Sequence, residues 1–180
     1  MNQPAISRRA RFTFSLAAAI ILGGSTAIAC GDDDDNAAII VNPNTPAQPT
    51  TATWSTILNG ANENPANPAV GTGTATIVKS GLTYTYTVNF ANLTAAPTGS
   101  HIHAPALAGT NAAIRVNFNL TGVTGTTGSF TGTFTAADIV SPPITGDSLD
   151  VLMTSGYAYV NIHTPAYPGG EIRGQLVKTK

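Results

Sequence analysis

Three histidines are the side chains on which metal chemistry could be built, and they fall in two short segments. His101 and His103 lie in Gly-Ser-His-Ile-His-Ala-Pro, and His163 lies in Tyr-Val-Asn-Ile-His-Thr. Along an extended strand, residues two apart share a face with their Cα atoms about 6.5 to 7 Å apart. His101 and His103 therefore point one way and Ile102 the other. Imidazoles rooted at that spacing can tilt toward one ion at about 2.0 Å. His163 shares a face with Asn161, Tyr159 and Tyr157, and Val160 and Ile162 take the opposite one. Isoleucine is the natural core residue in both segments, which places the histidines on the outer, wet face of the sheet. If the three converge, they make a site for Cu(II), or for Zn(II) in its absence, because imidazole suits either ion and copper binds a common nitrogen site more tightly. The competing reading has each ring hydrogen-bonded to a loop carbonyl near a strand end.

Glu171 and Arg173 share one face of a later segment, opposite Ile172 and Leu176. As a surface ion pair they would contribute under about 1 kcal/mol. Alternatively, Glu171 accepts a ring N–H from His163 and orients it, as carboxylates do for metal-bound histidines. Glu63 lies in a Pro-rich stretch and reads as a turn residue holding backbone N–H groups rather than as a general base. No second carboxylate accompanies it at a readable spacing, and no serine sits in a nucleophile-elbow pattern. The residues therefore assign no catalytic group.

Strands must position these side chains, and strand signals recur at short intervals from Thr53 onward. Residues 54–58 form a first candidate strand ended by Asn59-Gly60, and residues 71–78 alternate threonine with small or apolar residues. From Leu82 to Phe90 the alternation has no exception: Leu82, Tyr84, Tyr86, Val88 and Phe90 on one side, Thr83, Thr85, Thr87 and Asn89 on the other. A period of two marks a core face and a wet face. Further strands are expected over 100–104, 114–120, 129–135, 157–163 and 171–177. Between Thr135 and Ser155 the pattern changes to one or two short helical turns, at 136–138 and 148–153, the second capped by Asp147 or Ser148. About eight short strands in roughly 125 residues predict an all-β fold, a Greek-key β-sandwich or barrel. Strand order is not readable from periodicity.

Composition agrees with an exported β protein. Charged residues are 9% of the chain, against about a quarter in ordinary globular proteins. The net charge of −1 comes without any basic stripe, which excludes nucleic-acid binding as a reading. The single cysteine, Cys30, rules out an intrachain disulfide and a cysteine-based zinc cluster. Residues 1–30 read as an export signal: Arg8, Arg9 and Arg11, then an apolar run over 12–22, then small residues up to Cys30. Ala27-Ile28-Ala29-Cys30 resembles a bacterial lipobox, which implies a diacylated Cys30 at the mature N-terminus and a membrane as partner. The alternative is an ordinary secretory signal that contains a cysteine. Ser7-Arg8-Arg9 also resembles a twin-arginine export motif, with Arg11 interrupting it. Residues 31–52, with Asp32 to Asp35 and an Asn/Pro/Thr-rich run, read as a solvated acidic spacer without the ligand spacing of a calcium loop. Residues 53–180 are then the folded domain, displayed in the periplasm or at the cell surface.

Several stretches together resemble the CHRD domain, the repeat named after chordin. They are Asn59-Gly60 through Glu63 and Pro65, the Gly/Thr-rich pairing strands, His101-Ile102-His103, residues 159–164, and the closing Pro168-Gly169-Gly170-Glu171-Ile172-Arg173-Gly174-Gln175-Leu176. The resemblance spans about residues 54–177 and implies an extracytoplasmic β module without a set activity. A second similarity, over residues 82–103 and 160–163, is to the copper-zinc superoxide dismutases. It implies copper ligands at His101, His103 and His163 and a substrate-guiding role for Arg173. A fourth, bridging histidine, a zinc-ligand loop and disulfide cysteines are missing, which argues against a bimetallic dismutase. Two function classes follow: a noncatalytic binding or scaffold module for an extracytoplasmic protein or ligand, and a copper-dependent redox or copper-holding protein.

Overall fold

A computed structural model describes residues 50–140 and 143–180. The export signal, Cys30 and residues 31–49 of the spacer lie outside the described residues. Nine strands form: β1 Thr51–Asn59, β2 Thr72–Ser80, β3 Thr83–Ala91, β4 Gly99–His103, β5 Ile114–Asn117, β6 Gly128–Phe134, β7 Tyr159–His163, β8 Ile172–Gln175 and β9 Val177–Lys178. All pair antiparallel in one nearly closed, barrel-like sheet of order β5-β4-β7-β8-β1-β2-β3-β6, with β9 added on β1. β1 begins at Thr51, two residues inside the stretch read as spacer.

Local chemistry accounts for the elements. β2 and β3 form a hairpin across Gly81, whose φ of +60 suits a residue without a Cβ. Every second residue of β3 is buried: Tyr84, Tyr86, Val88 and Phe90 face inward, and the intervening threonines and Asn89 are exposed. Leu82 departs from the expected pattern. It is 85% exposed, because it stands in the turn before β3, where the alternation of faces has not yet begun. The inner face also carries Val160, Ile162, Ile172 and Leu176, each 0% exposed. Tyr86 packs between Phe118 and Phe130, with ring centroids 4.1 and 6.4 Å away. Gly132 opposite leaves the room: a Cβ there would run into the Tyr86 ring.

Helical turns lie at Ala136–Asp138 and Gly146–Thr154 (α1). α1 is capped by Thr145, whose hydroxyl accepts from Ser148 N at 3.1 Å, and not by Asp147 or Ser148. The reason is that the helix starts two residues earlier than the expected 148–153, at Gly146. Leu149 and Met153, four apart, bury against the sheet, and Asp150 ties the helix to Lys79 and to the Tyr84 hydroxyl. Three expected strands are shorter: the one expected over 157–163 begins only at Tyr159. β5 stops at Asn117, and the expected 171–177 strand divides at Leu176, whose amide donates to Ala158 O rather than continuing one ladder.

Candidate metal centre

Register brings the histidines together. β4 and β7 pair Gly99 with His163, His101 with Asn161 and His103 with Tyr159, and β7 and β8 pair Asn161 with Arg173. Ser100, Ile102, Val160, Ile162 and Ile172 fill the inner face, so His101, His103 and His163 all project from the outer one. One ring nitrogen from each lies within 4.8 Å of the other two. His101 Nδ1 and His163 Nε2 are 3.1 Å apart. Gly99 makes this approach possible, since a Cβ there would stand 3.1 Å from His101 Cε1 and 3.6 Å from His163 Cδ2.

Two of the rings have their tautomers set by backbone carbonyls. His103 Nδ1–H donates to Ala112 O at 2.9 Å, and His163 Nδ1–H donates to Pro168 O at 2.9 Å. Each is left with Nε2 as an acceptor turned to the shared space; His163 Nε2 takes a hydrogen bond there from His101 Nδ1–H, a proton that must move to His101 Nε2 before His101 Nδ1 can bind an ion. His103 Nε2 is buried and takes no hydrogen bond, and Asn161 Oδ1 is a second buried acceptor without a donor. Buried acceptors without donors are costly, and a cation among them removes the cost. The donor set thus fits a nitrogen-binding metal ion through His101 Nδ1, His103 Nε2 and His163 Nε2. Burial holds all three rings below the ordinary histidine range. For His101, where the other two histidines add to burial, the value falls to about 4. Burial also lowers His103 and His163, although their hydrogen bonds to Ala112 and Pro168 pull the other way. The rings are neutral at pH 7, the form in which imidazole binds metals.

The outer face here is not a wet face, contrary to the expectation from alternation. His103 is 8% exposed, and Tyr159, Asn161 and Arg173 are buried. The chain between β4 and β5 folds back over β7 and β8 and roofs them. Its carbonyls and side chains take the polar groups below: Arg173 donates to Thr110 O at 2.5 Å and Asn111 Oδ1 at 3.0 Å, and Gln175 donates to Ala106 O at 2.6 Å. Tyr159 is sandwiched, with His103 stacked at 4.7 Å and 4° on one side and Arg173 Cζ 3.3 Å from the ring centroid on the other.

The structure separates Glu171 and Arg173 from the roles read for them. They form no surface ion pair: Glu171 is 0% and Arg173 1% exposed, and among the described residues the ion pairs are those of Lys79. Arg173 lies on the outer face beneath the roof, its guanidinium spent on the roof and on Tyr159. Glu171 does not orient His163. It accepts from Thr94 N at 2.9 Å and from the Thr94 and Thr164 hydroxyls at 2.6 Å each. Those hydroxyls outcompete the imidazole, which is held by Pro168 O instead. Glu171 thereby fixes both the chain leaving β7 just after His163 and the chain approaching β4. Thr94, Thr164 and the two carbonyls were not found from sequence; a threonine in a Thr-rich chain carries no distinguishing signal, and a carbonyl carries none at all. Glu63 is buried at 7% exposure, where burial raises its carboxyl and the neighbouring Asn64 N–H works against that rise.

A family model described as CHRD domain matches residues 54–176, a span containing every strand of the sheet except the start of β1 and β9, together with all three histidines. No curated protein and no solved structure matches the chain. The closing run that carried the resemblance, residues 168–176, supplies Pro168 O, Glu171, Arg173 and Gln175, the groups that hold the outer face of β4, β7 and β8 in place. The chain belongs to the CHRD domain family.

Proposed function

We propose that this CHRD module binds copper through His101, His103 and His163, with zinc as a substitute, and that it does so outside the cytoplasm on a lipid anchor at Cys30. The observation that carries the reading is the clustering of three neutral ring nitrogens within 4.8 Å, two of them with tautomers set by backbone carbonyls. Three imidazoles suit copper in either oxidation state, and a bound copper supplies one-electron chemistry. The chain's own residues bind the ion, keep bulk water from His103 and pin two rings. Metal analysis of untagged protein, followed by Cu(II) titration, tests this. The expected signal is one nitrogen-ligated copper per chain, lost in His103→Ala. Protein that leaves copper with a weak chelator, or a His103→Ala variant that binds as well, refutes it.

The second reading is a noncatalytic binding or scaffold module, which the family assignment favours without a metal. It predicts no copper stoichiometry and a fold indifferent to the ion. Export and anchoring rest on the positive start, the apolar run and the lipobox-like end at Cys30. Mass spectrometry of the membrane-extracted protein should find diacylated Cys30, and an unmodified terminus downstream of it would refute the anchor.

A further inference from the structure

Beside the roofed face lies a cavity of about 240 Å³ between the segment after β1, residues 63–67, and the turn before β8, residues 166–170. Glu63 lines it. Its Oε1 is buried and takes no hydrogen bond. The oxygen lies against Gly170, where φ is +132 and where a Cβ would collide with it. An orphaned carboxylate oxygen in a cradle cleared by glycine calls for a donor the chain does not provide. Arg173 is close enough to act on Glu63 electrostatically, but its N–H groups go to Thr110 and Asn111, and the two make no ion pair within 4 Å. Asn67 is spent as well: its amide donates to Gly170 O and Glu171 O, and its Oδ1 accepts from Ala69 N.

The other walls are Pro65, Ala66, Ala166, Tyr167 and Pro168. Apart from Asn64 and the glycines, they complete an apolar and aromatic lining, and none brings a second carboxylate. A calcium ion would need about six to eight oxygens, and a neutral apolar molecule would leave Glu63 unpaired. An ammonium on an alkyl stem meets both requirements, with its N–H groups on the carboxylate and its carbons against proline, alanine and the Tyr167 ring, where a cation is also welcome. We infer that this cavity is a binding site for a primary alkylammonium group, with Glu63 as its counter-ion. The same chemistry arrives either on a free amine or on a lysine side chain of another protein.

The state of Glu63 agrees with such a ligand. Burial raises its carboxyl to about 7, against the lowering influence of Arg173 and of the Asn64 N–H. The other titratable groups near the cavity are Tyr167, in its wall, and His163, bonded to Pro168 and held neutral. An ammonium binds the ionised carboxylate, so affinity should rise about tenfold from pH 6 to pH 8.

The test is a titration of the folded protein with n-butylamine hydrochloride, with n-butanol as the uncharged match, read from the backbone amide shifts of Tyr167 and Gly170. The expected result is saturable shifts with butylammonium and none with butanol. Glu63→Gln should lose binding at least tenfold, and Ala166→Phe, which fills the wall without touching Glu63, should also lose it. Unchanged copper binding and unchanged Trp54 fluorescence in these variants certify the fold and keep this outcome separate from that of the histidine site. A parallel titration with an acetyl-lysine-amide peptide capped at both backbone ends and free at Nε decides between a free amine and a protein side chain. Equal binding of butanol, full binding by Glu63→Gln in folded protein, displacement of the amine by calcium, or no shift at 100 mM amine would each overturn the assignment.

Discussion

Glu171→Ala tests whether the outer face is held by one buried carboxylate. The change strips the acceptor from three donors, Thr94 N, Thr94 Oγ1 and Thr164 Oγ1, at 2.9, 2.6 and 2.6 Å. Hydrogen bonds to a charged group are each worth about 1.5–3 kcal/mol, but removing the carboxylate also relieves several kcal/mol of its own desolvation. Leaving three buried neutral donors without their acceptor, set against that relief, costs about 3–4 kcal/mol. Urea denaturation followed by fluorescence measures it cleanly, because Trp54 is the only tryptophan and is 1% exposed. With a urea slope of about 2 kcal/mol per molar, the midpoint should fall by about 2 M with the slope unchanged. Glu171→Gln keeps the shape and one acceptor oxygen and should lose about half as much. Thr164 directly follows His163 and Thr94 precedes β4, so copper affinity of the Ala variant should also fall, by about tenfold. A stability loss below about 1 kcal/mol would show that the donors are satisfied by water in the variant and that Glu171 does not organise this face.

Three further outcomes follow from burial and charge. Because burial lowers all three histidines, His101 to about 4, copper affinity corrected for the competing chelator should fall between pH 7.5 and 5.5 by clearly less than the roughly thousandfold that three water-exposed histidines would lose. The carboxyl of Glu63 is raised in the folded state to about 7 from 4.5, so its contribution to stability is full below about pH 4.5 and is lost as pH rises through 7. That loss amounts to about 1–2 kcal/mol after allowing for solvent screening. The histidines act in the opposite sense, their contribution being lost as pH falls below 6.5, so the difference between wild type and Glu63→Gln isolates the carboxyl: the variant should gain relative stability from pH 5 to pH 8, and parallel pH curves would refute the shift. Phe90→Ala should cost about 3–5 kcal/mol as a 4% exposed core ring, whereas Leu82→Ala should stay within about 0.5 kcal/mol; equal losses in thermal melts would mean that the β3 faces are misassigned.

The inner face was legible because alternation is a local signal. Tyr84 to Phe90 repeats without exception, and the Ile102, Val160 and Ile162 positions follow from two-residue spacing around each histidine. Placing all three histidines on the other face followed from the same rule. What could not be read was what covers that face. Strand order pairs β4 with β7 across about sixty residues and β8 with β1 across more than a hundred, and no local period reports such a partner. The roof comes from the chain between β4 and β5, whose Ala-Pro-Ala-Leu-Ala-Gly-Thr-Asn run has no periodic face at all. Glu171 was read as a surface or histidine-orienting residue for the same reason, since its partner Thr94 is 77 positions away.

One sheet thus has two kinds of outer surface, and the contrast locates function. Over β2, β3 and β6 it is a ladder of exposed threonines, Thr74, Thr85, Thr87, Thr131 and Thr133, open to solvent and partly bonded to one another and to their neighbours. Over β4, β7 and β8 it is roofed, and each polar group beneath must find a partner inside the protein. Arg173, Gln175 and Glu171 do so through the roof and the flanking loops. Among the described residues, the buried side-chain atoms that do not are Glu63 Oε1, His103 Nε2 and Asn161 Oδ1. All three are acceptors, and all three lie at or beside this face. Acceptors alone, gathered on the one covered part of the outer surface, are the common ground of the two proposals: bound copper would complete His103 and its neighbours, and a bound ammonium would complete Glu63.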